Sequence, residues 1–154
     1  MSRAAALVLA GAVGASGAAL AEKADRDMPT QIEANKMSAD DARRMTIFEG
    51  SVVLTRGTMR LTADRGVLAR EGDEIFLYDN VLLVREPDAQ HPGTRMTTSF
   101  LHIVRDRSII RTDREVMVVE GRRSLSGRGM EYTNDSRELV LHSDVRARFE
   151  PEKR

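Results

Sequence analysis

The sequence predicts an all-β fold built from about four strand–turn–strand repeats. One pattern occurs four times, at residues 32–52, 61–81, 96–116 and 125–145. Each copy opens on a large aliphatic residue, passes through a polar cluster and reaches a valine twenty positions after its start. Short segments rich in Val, Ile, Leu, Thr and Phe alternate with turn residues, and no window after the N-terminal stretch sustains a helical period. A shared internal period of this kind indicates stacked supersecondary units.

Composition limits the class of protein. The 154 residues are enough for one domain with a hydrophobic core. Lys plus Arg and Asp plus Glu both number 24, so no net charge attracts nucleic acid, and we expect no nucleic-acid partner. The chain has no cysteine, which excludes disulfides, thiol catalysis, cysteine-bound metals and a lipid-attachment cysteine.

Residues 1–21 are predicted to be a cleavable secretory signal peptide. Arg3 gives a positive start, residues 4–18 are uncharged, and Ala19 and Ala21 form a small-x-small cleavage site. A retained membrane anchor is the alternative, in which case the protein stays associated with the inner membrane. The apolar run is shorter than the roughly 20 residues that a spanning helix needs, which favours cleavage and export.

The β domain is predicted to span residues 30–150, between a flexible leader at 22–29 and a short tail at 151–154. A single hairpin cannot bury its apolar face, so the repeats should stack around a shared interior. Two architectures fit this requirement, a β-solenoid and an antiparallel jelly roll with two facing sheets. The predicted turns of the four repeats are residues 40–43, 70–73, 105–108 and 134–137.

The strands that follow the closing valines are apolar at successive positions, which favours a two-layer interior over a sheet with one wet face. The first and last strands instead alternate between apolar and polar residues, as edge strands do. An exposed edge of this kind binds another sheet or aggregates. The edge residues predicted to contact partners are Thr30, Ile32 and Ala34 at one end and Val145, Ala147 and Phe149 at the other.

No catalytic, metal or cofactor site is predicted. The histidines His91, His102 and His142 lack the spacing of a metal site. Acidic residues recur near the closing valines, which leaves a solenoid carbohydrate enzyme as a remote alternative. We expect these acids not to share a register column and to serve as turn residues. They are Glu49, Asp79, Asp113 and Asp144.

Two stretches resemble the OstA-like family of lipopolysaccharide transport, which comprises the LptA- and LptC-type periplasmic proteins. Residues 30–64 are similar to the N-terminal part of the LptA type, with Ser51 where the family usually has Asn. Residues 111–113, 127–132 and 141–151 are similar to the C-terminal region of the LptC type. The matching family positions in the first stretch are Phe48, Gly50, Val52, Gly57, Leu61, Ala63 and Asp64.

The resemblance implies a twisted, slightly open antiparallel β-jellyroll in the periplasm that binds lipopolysaccharide and has no enzymatic activity. Members stack edge to edge, with themselves or with homologues, into a bridge between the membranes. The implied partners are the inner-membrane Lpt ABC transporter and the N-terminal domain of LptD in the outer membrane. The cleavable signal peptide favours an LptA-type role over an LptC-type subunit of the same exporter. A structural or adhesion-type β-repeat without lipid cargo is the alternative from another class.

An apolar trough suits acyl chains, because each buried methylene contributes roughly 0.8 kcal/mol. For any single residue, ordinary core packing is the alternative to a role in the wall. Arginines at the rim could meet lipid phosphates; these are Arg56, Arg60, Arg85, Arg122, Arg123 and Arg128. The predicted wall residues are Ile32, Ile47, Phe48, Val52, Leu61, Phe76, Val81, Leu83, Phe100, Ile103, Val116, Val118, Met130, Tyr132 and Leu141.

Overall fold

A computed structural model describes residues 29–152 as one antiparallel sheet of nine strands. The predicted signal peptide, most of the leader and the end of the tail lie outside these residues. The prediction of an all-β fold is confirmed. The strands are β1 (Gln31–Glu33), β2 (Lys36–Asp40), β3 (Met45–Arg56), β4 (Met59–Ala69), β5 (Glu74–Arg85), β6 (Thr94–Val104), β7 (Ile109–Glu120), β8 (Arg123–Thr133) and β9 (Glu138–Phe149), with one 3-10 turn at Arg70–Gly72.

Each of the four sequence repeats forms one hairpin of the sheet. From β3 to β9 every strand pairs antiparallel with the next strand in the chain, which excludes the solenoid alternative. The polar clusters of the repeats form the connecting turns, as predicted. In the first repeat the opening strand is interrupted between β1 and β2, where the Asn35 N–H donates a 2.9 Å hydrogen bond to the Gly50 carbonyl.

A column of β-bulges crosses the middle of the sheet. All six strand pairs from β3 to β9 shift register near their centres. Bulges bend and twist the strands that carry them, and glycine, Asp and Asn tolerate the left-handed backbone that bulges require. Gly129 shows this requirement at φ 78°, where a Cβ would lie only 3.0 Å from the His142 ring. Left-handed residues at the bulges are Gly50, Ser51, Asp79, Asn80, Gly129 and Asp144.

The bulge column divides the sheet into two halves that face each other. Half-sheet A runs from the column to the repeat turns at 41–44, 70–73, 105–108 and 134–137; half-sheet B runs to the connections at 57–58, 86–93 and 121–122. Leu61 of half-sheet B and Leu77 and Leu101 of half-sheet A are almost fully buried in one core cluster. The long strands therefore belong to both layers, and their inward side chains form a single interior.

The outer face is less buried than the apolar closing strands suggest. Val53, Leu82 and Val119 point away from the core and are half-buried, and Met117 is 52% exposed. The structure thus corrects the expectation of a two-layer interior that covers both faces of these strands. Each half-sheet has one buried face and one face that is partly open to solvent.

Three of the four recurring acids lie in the bulge column. Asp79, Asp113 and Asp144 each fall within a register shift, on the non-adjacent strands β5, β7 and β9, so no register pairing joins them. Asp79 and Asp144 adopt positive φ angles of 63° and 53°, so their role is to accommodate the bulge backbone. No group of three or more metal-binding side chains occurs within residues 29–152.

None of the helical structure between residues 29 and 152 is long and apolar enough to cross a bilayer.

Leu101→Ala tests the contribution of the shared core to stability. Leu101 is fully buried, so truncation removes apolar contacts from both half-sheets and leaves a cavity. We expect the free energy of unfolding to fall by about 2–5 kcal/mol. The matched variant is Met117→Ala, on the outer face of β7, which should change it by only about 0.5 kcal/mol. Urea denaturation followed by circular dichroism measures both, and equal losses would contradict the assignment of the core.

Candidate functional site

An apolar cavity of about 270 Å³ lies between the two half-sheets. Leu83, Met96 and Val118 from half-sheet B form one wall. The facing wall comes from half-sheet A, where β7, β8 and β9 contribute Ile110, Met130, Tyr132 and Leu139. Around β4 the interior is tightly packed, since Leu61 is fully buried. The residues that line the cavity belong to β5 through β9 and to the connections between β5 and β6 and between β8 and β9.

Most of the predicted wall residues point into this shared interior. Leu83, Val118, Met130 and Tyr132 line the cavity itself. Buried in the core are Val52, Leu61, Val81, Leu83, Ile103, Val116, Val118 and Met130, and packed against it are Ile32, Phe48, Tyr132 and Leu141.

The sequence prediction missed three residues that line the cavity, Met96, Ile110 and Leu139. Ile110 and Leu139 could have been found from strand pairing, because each lies directly opposite Tyr132, which was predicted to line the groove. Ile110 pairs with Tyr132, which in turn pairs with Leu139. Side chains that are directly opposite on neighbouring strands share a face.

Three predicted wall residues, Ile47, Phe76 and Phe100, lie on the outer face of half-sheet A, so their assignment to the groove is wrong. Side chains alternate along a strand, and the neighbours of Phe76, Ile75 and Leu77, are buried in the core. The Phe76 ring instead stacks on the ring of His102 at a centroid distance of 4.4 Å. Ile47 and Phe100 belong to the same outer surface.

His102 has a structural role on this outer surface. Burial lowers the pKa of His102, and the nearby Arg111 guanidinium lowers it further. Arg111 Nε donates a 3.1 Å hydrogen bond to His102 Nδ1, which requires that nitrogen to be the unprotonated acceptor of a neutral ring. The imidazole therefore serves as an aromatic stacking partner for Phe76. The side chain that forms a hydrogen bond with it, Arg111, is not a nucleophile.

The groove opens between the free margins of the two half-sheets. Arg85, at the end of β5, donates a 3.1 Å hydrogen bond from Nη2 to Asn134 Oδ1 in the turn before β9. This bond joins the margin of half-sheet B to that of half-sheet A. Beside it, the connection at 86–93 is ordered by Asp88, whose carboxylate accepts the backbone N–H groups of Gln90 and His91. These bonds lower the pKa of Asp88.

The predicted rim arginines are divided between different surfaces. Arg85 and Arg123 line the cavity at its mouth. Arg60 is exposed on the outer face, and Arg122 lies in the exposed turn before β8 with Glu152 at 3.8 Å. Arg128 lines a depression on the outside of the bulge column. Only part of the predicted set therefore lies at the groove.

Both terminal strands have one unpaired side within the described chain. β1 and β2 pair with β3, and β9 pairs with β8. Ile32 and Ala34 pack partly against the core, beside Thr30, which precedes β1. At the other end, Val145 is 52% exposed and Phe149 is 69% exposed, and Ala147 between them is also exposed. The sheet thus ends at two strands that can each accept a further strand.

A bent antiparallel sheet with an apolar interior between its halves defines the chain as a β-jellyroll module with an internal groove. The family model described as "Lipopolysaccharide-assembly, LptC-related" matches residues 28–150, nearly the whole described region. The chain belongs to this family, which confirms the resemblance seen in the sequence.

Curated relatives and a solved structure agree with this assignment. The lipopolysaccharide export system proteins LptA of Escherichia coli K12 and of Shigella flexneri are each 39% identical over 69 residues, which cover 44% of this chain. The chain spans 37% of the length of these relatives. The crystal structure of LptH from Pseudomonas aeruginosa, described as an LptA-homologous periplasmic component, superposes with a TM-score of 0.75 at 15% identity. That match covers 83% of this chain and 99% of LptH, and it confirms the twisted, slightly open jellyroll fold.

Proposed function

We propose that this chain is a periplasmic, non-enzymatic lipopolysaccharide carrier that passes its cargo from the inner-membrane Lpt ABC transporter toward LptD. The observation that carries the proposal is the apolar cavity between the half-sheets of a sheet whose two terminal strands have unpaired edges. Membership of a lipopolysaccharide-assembly family supports lipopolysaccharide as the cargo. The predicted signal peptide supplies the route of export.

The groove has the chemistry that acyl chains require. The Leu, Val, Ile and Met side chains of its lining offer burial without directional hydrogen bonds, and charged residues, among them Arg85, Glu86 and Arg123, also line it. A carrier must release its cargo, and smooth aliphatic walls bind without fixing one position. At about 270 Å³ the cavity is slightly smaller than the roughly 300–1,000 Å³ of typical ligand pockets, so loading several chains requires the half-sheets to separate.

The margins of the groove permit that separation. Backbone hydrogen bonds pair the strands on both sides of the bulge column, whereas side-chain contacts such as the bond from Arg85 to Asn134 join the margins of half-sheets A and B. Separation of the margins therefore leaves the backbone ladder intact. We propose that lipid enters through this lateral opening while its sugars stay outside.

The terminal strands are the proposed contacts to partners. An added strand makes main-chain hydrogen bonds along the free edge, as in other cases of β-augmentation. Residues Val145, Ala147 and Phe149 of one copy would then meet Thr30, Ile32 and Ala34 of the next, so that the interiors become continuous. Homologous jellyrolls of the transporter complex and of LptD fit the same edges.

An LptC-type subunit of the exporter is the second candidate, because the matching family model is described as LptC-related. The two roles differ in the fate of residues 1–21. Determination of the N-terminal residue of the exported protein separates them: a start at Glu22 supports the carrier role, and an intact Met1 supports a membrane-held subunit.

Leu139→Arg tests the groove as the lipid site. Leu139 lines the cavity, so a charged side chain there places an ion where an acyl chain should lie. We expect affinity for hexa-acylated lipopolysaccharide to fall roughly tenfold or more. Val140→Arg is the matched control, because Val140 is the next residue of β9 and lies on the outer face. Fluorescent-lipid displacement measures both, and equal affinities of two folded variants would contradict the proposed site.

Phe149→Asp tests the edge of β9 as the site of self-association. A charge at this exposed edge opposes the docking of a second sheet, so we expect the association constant to fall roughly tenfold. Met117→Asp also places a charge at an exposed apolar residue, but on the face of the interior strand β7, and should have no effect. Sedimentation velocity over a concentration series measures association. A strictly monomeric wild-type protein at high concentration would refute the edge-pairing proposal.

A further inference from the structure

A second cavity of about 150 Å³ adjoins the apolar one and has a different chemistry. The two cavities share Arg85 and Ile110, so they are neighbouring parts of one opening between the half-sheets. Arginines dominate its polar lining, its floor is aliphatic, and no acidic residue lines it. We call it the basic cavity; its principal lining residues are Arg56, Arg85, Arg105, Ile103, Ile110 and Asn134.

Arg85 is the side chain common to both cavities. It occupies the inward position that follows Val81 and Leu83 along β5, where the apolar wall ends. Its Nη2 group donates to Asn134, but its Nε atom is buried without a hydrogen-bond partner in the protein. A buried donor that lacks an acceptor is unfavourable, and a ligand oxygen would satisfy it.

The other guanidinium groups approach from both margins of the groove. Arg105 lies in the turn between β6 and β7 on half-sheet A, and its Nη1 donates a 3.2 Å hydrogen bond to the Gly72 carbonyl. Arg56 is the last residue of β3 on half-sheet B. Since arginine binds phosphate through planar, charge-assisted hydrogen bonds, two opposed margins that each supply arginine suit a tetrahedral oxyanion.

The larger cavity does not offer the same attraction for an anion. Its Arg123 forms an ion pair with Glu120 at 3.4 Å, and His91 lies 3.2 Å from the Asp88 carboxylate. Glu86 adds a further negative charge to that rim. The lining of the larger cavity therefore contains acidic residues that offset its arginines, whereas the lining of the basic cavity contains arginines and no acidic residue.

We propose that the basic cavity binds a phosphate group of an acylated lipid whose chains occupy the apolar cavity. This inference rests on the proposed lipid-carrier function and adds a headgroup site to it. The shared residue Arg85 marks the boundary between hydrocarbon and headgroup, which fixes how deep an amphiphile enters. Free inorganic phosphate has the same chemistry but no acyl chains, so the experiment distinguishes the two sources.

The test uses bisphosphorylated lipid A, the same lipid after removal of its phosphates, and inorganic phosphate. Arg85→Gln and Arg105→Gln should each weaken binding of bisphosphorylated lipid A roughly 10- to 100-fold, as expected for loss of a charged hydrogen bond. Arg105→Gln should leave binding of the dephosphorylated lipid unchanged, because Arg105 does not line the apolar cavity. Arg107→Gln is the matched control, because Arg107 lies in the same turn as Arg105 and is exposed outside the cavity. Thermal melting verifies that the variants fold.

Four outcomes are informative. Equal affinity of the wild-type protein for the two lipids overturns the phosphate site and leaves the carrier function intact. The same conclusion follows if Arg107→Gln loses as much affinity for bisphosphorylated lipid A as Arg105→Gln does. If the wild-type protein binds neither lipid, the proposed carrier function is wrong. The chemical shift of the Arg85 Nε–Hε resonance in ¹H–¹⁵N spectra then tests separately whether the basic cavity binds an anion. Movement of that resonance on titration with inorganic phosphate supports a free-phosphate site, and an unmoved resonance refutes the basic cavity as an anion site.

Discussion

The bulge column is the constraint on which the rest of this structure depends. Without it, strands of eleven or twelve residues would form one long, half-exposed sheet with no enclosed interior. Paired left-handed residues such as Asp79 and Asn80 bend β5, and the Asn80 side chain donates a 2.8 Å hydrogen bond to Asp64 of the adjacent strand. Because every pair from β3 to β9 carries a shift, the bends align and two layers form from one hydrogen-bonded ladder.

A folded single sheet has different mechanical properties from a sandwich of two separate sheets. The bend is held by backbone hydrogen bonds, whereas the opposite side is closed by side-chain contacts that are weaker and reversible. The proposed separation of the margins would then leave the backbone hydrogen bonds of the bend intact. The same construction leaves one side of each terminal strand unpaired within the described chain, so a further strand can add at either end of the sheet.

The repeats, their turns and the edge strands were predictable because they depend on local chemistry. Valine at the closing positions and polar residues at the turns mark each hairpin directly. Which side chains point inward was harder to predict from the sequence. Residues on alternate faces of β5 are all apolar or aromatic, so alternation does not distinguish the inner face; they are Ile75, Phe76, Leu77 and Tyr78. Phe100 was misplaced for a second reason. Met96 and Thr98 point inward, so strict alternation along β6 would also place Phe100 inward. The bulge after Thr98 shifts the alternation of side chains by one residue, and Leu101 occupies the inner face instead. The cavity itself requires residues from strands distant in sequence.

The central claim is that the inner, and not the outer, face of the bent sheet receives acyl chains. Methyl-labelled protein in complex with deuterated-headgroup, protonated-acyl lipopolysaccharide tests this by intermolecular nuclear Overhauser effects. The structure predicts contacts from acyl protons to the methyl groups of Ile110 and Leu139, with none to Leu82 or Val140 on the outer face. Contacts confined to the outer methyl groups, or a saturated complex without contacts to the inner ones, would contradict it.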